Sequence, residues 1–274
     1  MQPIRPKFEK PPLVEQAITV IFQDIDKFSI GDFGLFWHQI QDEFPMCEAR
    51  PLLEPIVEDF DEFSTSAIQF RLMPQDTLPR CFYRRADGAE LIQLQRDRFT
   101  FNWSVVGGGE YPSFEVTQAR FRVLFDKFIK FLSEREYGPI VPRQCEVTNV
   151  NVVRLQELGS TFSAVEMAFN VTPNKPNLAL LGFEHTTIQT QFLIKGSNES
   201  DKPIGRLHSS LAPARAQGDD QLAWRYELTA RSTPLNALTD VYEFFGSARS
   251  AINSAFMAGT TEWAHKRWGM IDGN

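Results

Sequence analysis

ELIQLQRDRFTFNW, residues 90 to 103, carries its apolar side chains in two phases. Ile92 and Leu94 occupy even positions, Phe99, Phe101 and Trp103 occupy odd ones, and Arg96-Asp97-Arg98 stands at the switch. A strand alternates its side chains between two faces, so a change of phase within one strand sends half of its apolar set to the wrong side. If the chain doubles back at Arg96-Asp97, each arm keeps its own register and both apolar sets point the same way. The stretch therefore predicts a tight hairpin rather than a bulge within one strand.

Around that hairpin the same period of two recurs. Ile68, Phe70 and Leu72 alternate with polar residues, CFYRR follows at 81–85, and Asp87-Gly88 is a strong turn signal ahead of ELIQLQ. These segments predict a four-stranded antiparallel meander. Upstream, Ala17 to Ile25 is apolar on both faces and reads as a central strand. Phe33, Trp37, Ile40 and Phe44 then recur at helical spacing until Pro45 stops them. Residues 51–63, with two prolines and five acids, read as a surface connection. Downstream, Gly107-Gly108-Gly109 leads into a helix whose seam is Phe114, Phe121, Phe125, Phe128 and Leu132, widened by Leu124 and Ile129. Its charged residues, Arg120, Arg122, Asp126, Lys127 and Lys130, lie largely away from the seam, so the helix should rest on the meander. Gly138 and Pro139 end it, and YGPIVP at 137–142 is the best internal boundary.

Beyond the boundary the order repeats. CEVTNVNVVRL at 145–155, an alternation of Val165, Met167, Phe169 and Val171, then TTIQTQFLI, GRLHSSLA and LAWRYELTA predict strands. A long helix follows from about Thr233-Pro234, with Leu238, Val241, Phe245, Ile252, Phe256 and Trp263 as its stripe. The expected fold class is α+β: two sequential antiparallel β-meander halves, residues 1–138 and 139–274, each covered by a long helix in a pattern of pseudo-duplication. The repeat is one of pattern, without residue identity between the halves.

The totals bound the function. Lys and Arg number 28 against 35 Asp and Glu, a formal charge of −7, with a pI near 5.2. No global field draws in phosphate backbones, which argues against a nonspecific nucleic-acid binder. MQPIRPKFEKPP lacks the apolar core of a signal peptide and no stretch reaches the length of a membrane span, so a cytoplasmic protein without a membrane partner is expected. Cys47, Cys81 and Cys145 are odd in number and far apart, which suits reduced thiols on apolar faces. The 24 phenylalanines, set against 5 tyrosines, fall mostly at periodic positions and read as aromatic core.

Four segments together carry a resemblance. Pro11-Pro12-Leu13-Val14-Glu15-Gln16-Ala17, the block Leu91 to Trp103, Tyr111 to Glu115, and Gln144 to Asn151 resemble the PPLxEA, LIQxQxDRFxxNW, YPxFE and QCExTxxN segments of a sporadically distributed family of bacterial proteins. Family members often carry proline where this chain has Arg96. The resemblance implies a shared fold in bacteria and a patchy inheritance common among mobile or defence-linked genes. It implies no activity.

The chemistry-bearing residues are sparse. The glycine triplet lacks a following Lys-Ser/Thr and is no phosphate loop. Glu262 and His265 have metal-site spacing but no second pair, so no metal or other cofactor is expected. His38, His185, His208 and His265 are scattered, GSNES and LHSS offer hydroxyls without a nucleophile motif, and no catalytic residue emerges. Two sets remain. Arg80, Arg84, Arg85, Arg96 and Arg98 belong to one meander and could form a local anion or partner site. Polar residues inside apolar segments, namely Glu15, Gln93, Arg98, Asn102 and Asn151, with Gln95 and Asn149 beside them, would line a ligand cavity if the far face of the sheet borders one. The alternative for these is structural hydrogen bonding. The function expected is therefore a non-catalytic binding or interaction protein, with a protein or small-molecule partner. The alternative is an enzyme or sensor that uses a polar-lined groove between sheet and helices. An exposed strand edge, with CFYRR as the candidate, would permit a homodimer.

Overall fold

The computed structural model describes residues 6–53, 58, 60, 78–106, 111–159, 162–172, 184–196, 202–215 and 221–271. In chain order the strands and helices are β1 (Lys7–Phe8), β2 (Leu13–Phe22), α1 (Ile30–Ile40), β3 (Met46–Arg50), β4 (Arg80–Arg84), β5 (Glu90–Gln95), β6 (Arg98–Ser104) and α2 (Phe114–Glu134). They continue as β7 (Pro142–Arg154), α3 (Val165–Ala168), β8 (Ile188–Lys195), β9 (Pro203–Arg215), β10 (Leu222–Ser232), α4 (Leu238–Gly259), α5 (Glu262–Arg267) and β11 (Met270–Ile271). Among the described residues β1 pairs with β11, and nine strands form one large antiparallel sheet in the order β3-β4-β5-β6-β2-β7-β10-β9-β8. The chain is α+β. It divides into two compact units: Gln16–Val147 with Arg231–Phe245, called here the α2 unit, and Met1–Glu15 with Thr148–Ala230 and Gly246–Asn274, called the β8 unit.

The hairpin forms where the phase switch placed it. Gln95 faces Arg98, Leu94 faces Phe99 and Ile92 faces Phe101, so Arg96-Asp97 is a two-residue tip. Neither tip residue has positive φ, so the primed turns usual for such tight loops are not used. External bonds hold the tip instead: the N–H of Phe22 donates to the Asp97 carbonyl at 2.9 Å, and that of Ile25 to the Arg96 carbonyl at 3.2 Å. Arg96 makes a bidentate pair with Asp24 at 2.7 and 2.5 Å. At the preceding turn Gly88 adopts φ +74°, the conformation that Asp87-Gly88 implied.

The aromatic residues make the core of the α2 unit. On α2, Phe121, Phe125 and Phe128 stand 5.9, 5.3 and 5.6 Å from the Phe99 ring on β6. Phe128 also meets Phe22 of β2 and Phe36 of α1, at 6.1 and 5.3 Å. Edge-to-face and offset contacts of this kind add to the gain from burying their area. One face of the β2–β6 strands is thus sealed by helices. The other carries the even-numbered residues of β6 and the odd-numbered ones of β5.

Several expectations require correction. β3, flanked by Pro45 and Pro51, was not foreseen: all five of its residues are exposed, so no apolar alternation announces it. The strand expected over Val165–Val171 is a short 3₁₀ turn at Phe162–Ala164 followed by α3; Val165, Ala168 and Phe169 are buried at helical spacing and Met167 is exposed. The last helix starts at Leu238, where the Ala237 N–H donates to Asp240 at 3.2 Å, rather than near Thr233-Pro234. It ends at Gly259, and Trp263 lies on α5, 39% exposed, outside the stripe. The strand expected from Ala17 is β2, which runs from Leu13 to Phe22, so Glu15 lies within it. CFYRR is no edge, since β4 pairs with both β3 and β5. Cys81 and Cys145 are buried thiols, but Cys47 is exposed. Burial raises the Cys81 thiol to about 11. The expected strand at Ile68–Leu72, most of the 51–63 connection and the Gly107–Gly109 loop lie outside the described residues.

Candidate functional site

The outward face of β3–β6, away from α2, gathers the polar side chains of the meander. Register aligns them in rows. Arg50 of β3 faces Arg80 of β4, Cys81 of β4 faces Leu94 of β5, and Gln95 of β5 faces Arg98 of β6. Arg50, Arg80, Gln95 and Arg98 consequently form one cross-strand row. In the next row Glu48, Phe82, Gln93 and Thr100 lie side by side, and Thr100 Oγ1 is 2.9 Å from Thr19 Oγ1 on β2.

A hydrogen-bond relay links the rows. Arg80 Nη1 donates to Gln93 Oε1 at 2.9 Å, and Gln93 Nε2 donates to Asn102 Oδ1 at 2.8 Å. Gln93 is thereby oriented by both neighbours. Gln95 clamps the backbone of Leu53: its Oε1 accepts from the Leu53 N–H at 2.9 Å and its Nε2 donates to the Leu53 carbonyl at 3.0 Å. The chain leaving β3 therefore crosses this face, and Gln95 and Asn102 are buried, Asn102 to 5% exposure.

The guanidinium groups are less well satisfied. The Nε atoms of Arg80 and Arg98 are both buried without a hydrogen-bond acceptor. Neither arginine has a carboxylate partner among the described residues, whereas Arg50 pairs with Glu48. Arg80 and Arg50 also lie over the Phe82 ring, with Cζ 4.7 and 5.7 Å from its centroid. Burial, then the charges of Arg98 and Arg50, push Arg80 below an arginine's ordinary value. Partly covered like charges side by side carry a cost that an anion or further acceptor offsets.

Of the five candidate ligand residues, Gln93, Arg98 and Asn102 share this face. Asn151 lies in the β8 unit, where its Nδ2 donates to the Tyr226 carbonyl at 3.2 Å, a structural bond to the neighbouring strand. Glu15, half-buried on β2, is also assigned to the β8 unit. Of the five meander arginines, Arg80 and Arg98 join the row, Arg84 faces Met46 and Leu91 at the far end of β4, Arg85 pairs with Asp87 and Glu90 and Arg96 with Asp24. Arg50 escaped notice because the strand that carries it has no apolar pattern. Gln16 was missed as well: it is 2% exposed, its Oε1 accepts from Thr117 Oγ1 at 2.5 Å and its Nε2 donates to the Tyr111 hydroxyl at 3.0 Å. The YPxFE segment is thereby tied to β2.

The β8 unit contains a separate groove of about 1190 Å³ between the β8–β9 hairpin and α4, walled by Phe192, Ile194, Leu207, Tyr226, Ser250 and Ala255. None of the five candidate residues lines it, so the polar set and the groove are distinct features. Among the described residues no cluster of ligating side chains could hold a metal, and no helix is long and apolar enough to cross a membrane. His265 Nε2 lies 2.7 Å from Thr260 Oγ1 at the α4–α5 junction, and beside it Thr261 Oγ1 caps α5 by accepting from the Ala264 N–H. No protein-family model matches this chain, and no curated protein matches it.

Proposed function

We propose that the chain is a non-catalytic bacterial binding protein of the cytoplasm, encoded in a mobile or defence-linked locus, and that the outward face of β3–β6 is its ligand site. One observation carries this reading: partly covered guanidinium and amide groups are oriented by one another, yet two buried Nε atoms remain without acceptors. Such a face is prepared to bond something else. Among the described residues no histidine or cysteine stands in these two rows, which favours capture over turnover.

Equilibrium dialysis of the full chain against a bacterial small-molecule extract, read by mass spectrometry, tests the reading. A compound retained by the wild type, released unchanged, and lost with Gln93→Ala supports it. Conversion of the retained compound into a product overturns the non-catalytic reading, and equal retention by the variant removes the site.

Two finer statements belong to the same proposal. A pseudo-duplicated origin is supported by strand order, because β2 pairs with β6, the last strand of its meander, as β7 pairs with β10. A homodimer through β8 is supported by the exposure of that strand at the end of the sheet.

A further inference from the structure

Resting on the binding reading above, the geometry points to a phosphoryl group as the ligand's recognised part, held between the guanidinium groups of Arg80 and Arg98 with Arg50 at the rim. Three features select that chemistry. First, the residues come from three strands yet share one row, so strand register rather than flexible loops sets their spacing. Second, Arg80 is already immobilised by Gln93 and by the Phe82 ring, which leaves its remaining N–H groups aimed and reduces the ordering needed on binding. Third, the two unbonded Nε–H donors come from arginines with no carboxylate partner among the described residues, whereas Arg85, Arg96 and Arg120 nearby in the same unit each pair with one. A tetrahedral oxyanion offers several acceptors to such diverging forks, whereas a single carboxylate fills one fork in bidentate fashion. Burial first, and then the charges of Arg98 and Arg50, lower Arg80, and the same anion offsets the charge repulsion. The relay to Asn102 places an amide beside the anion for whatever carries the phosphoryl group.

The probe is inorganic phosphate, titrated at constant ionic strength into the full chain, with thermal denaturation and isothermal calorimetry as readouts. Saturable binding that raises the melting temperature is expected, weakened at least tenfold by Arg98→Gln and by Arg80→Gln. Arg85→Gln, outside the row, should leave it unchanged. A second sign separates binding from folding: without phosphate Arg98→Gln should melt at or above the wild-type temperature, because it removes repulsion, and with saturating phosphate below it. Arms with glycerol 3-phosphate and with a phosphoserine peptide tell a free metabolite from a phosphorylated chain. Absence of saturable phosphate binding, or binding that survives Arg98→Gln, overturns the inference. If the dialysis experiment nevertheless retains an uncharged compound in a Gln93-dependent way, the binding site stands and only its phosphoryl chemistry falls; if nothing is retained there either, both fall.

Discussion

At Gly259 a hydrogen in place of a methyl group decides how closely α4 approaches Tyr226. A Cβ built there would stand 2.4 Å from the Tyr226 hydroxyl oxygen and 3.2 Å from its ring. Alanine ordinarily favours a helix over glycine by up to about 1 kcal/mol. Here the overlap wins, and Gly259→Ala should destabilise the protein by about 1–3 kcal/mol in denaturant unfolding. Tyr226→Phe in the same chain removes the clashing oxygen and should restore most of the loss; failure of that rescue would discard the steric explanation. Asp32 is a second residue whose surroundings fix a measurable sign. Burial alone would raise its carboxyl, but the N–H and hydroxyl of Ser29, the Tyr137 hydroxyl and Arg135 hold it below the ordinary aspartate value. The native state therefore keeps it ionised more readily than the unfolded chain does. The resulting stabilisation is complete above the unfolded value and is lost as pH falls through the lower native one. Asp32→Asn should cost about 1–3 kcal/mol at neutral pH, and urea midpoints of variant and wild type should converge as the medium is acidified below pH 4.

At the scale of the element, the hairpin at Arg96-Asp97 lends itself to a substitution test. Both tip residues have negative φ, a geometry open to proline at the first tip position. Proline there restricts the unfolded chain, a gain of about 0.4–1 kcal/mol. It also removes the Arg96 pair with Asp24, half of which is exposed and worth about 0.2–1 kcal/mol. Arg96→Pro should therefore leave stability within about 1 kcal/mol of wild type, with an unchanged circular dichroism spectrum. Proline at Ile92, inside β5, should unfold the meander. The hairpin was legible because Ile92, Leu94, Phe99 and Phe101 must all reach one core, and only one backbone path allows it. Met46–Arg50 was illegible for the opposite reason: it buries nothing, so its pairing with β4 leaves no periodic trace. Val165–Phe169 is a third case: its large apolar residues alternate in the sequence, but the positions buried are Val165, Ala168 and Phe169, at helical spacing, while Met167 is exposed. The site divides along the same line. Gln93, Arg98 and Asn102 were legible as polar residues in apolar strands, whereas Arg50 could be placed beside Arg80 only once β3 was known.

At the scale of the whole molecule, the sheet has two ends, and they are protected differently. β3 is five residues long, closed by prolines on both sides, and carries Glu48 and Arg50, features that discourage further pairing. β8 is longer and carries a single charge, Lys195, at its very end beyond a register shift. Ile188 to Ile194 contains no charge and no proline, and Phe192 and Leu193, on opposite faces of the strand, are 51% and 58% exposed. The segment is also self-complementary when paired antiparallel with a second copy about Gln191. Ile188 then meets Ile194 and Thr190 meets Phe192, so both strands present their apolar residues to the same side. A two-fold partner uses the same patch twice, which fits an uncharged strand better than any charged part of a chain carrying −7. Light scattering after gel filtration at tens of micromolar should report a dimer. Phe192→Lys, which sets a charge opposite Thr190 of the partner, should give a monomer of unchanged circular dichroism, because that side chain contributes little to the protomer's own core. A wild type that runs as a monomer, or a dimer indifferent to Phe192→Lys and to Thr190→Pro alike, would show that β8 ends the sheet without recruiting a second one.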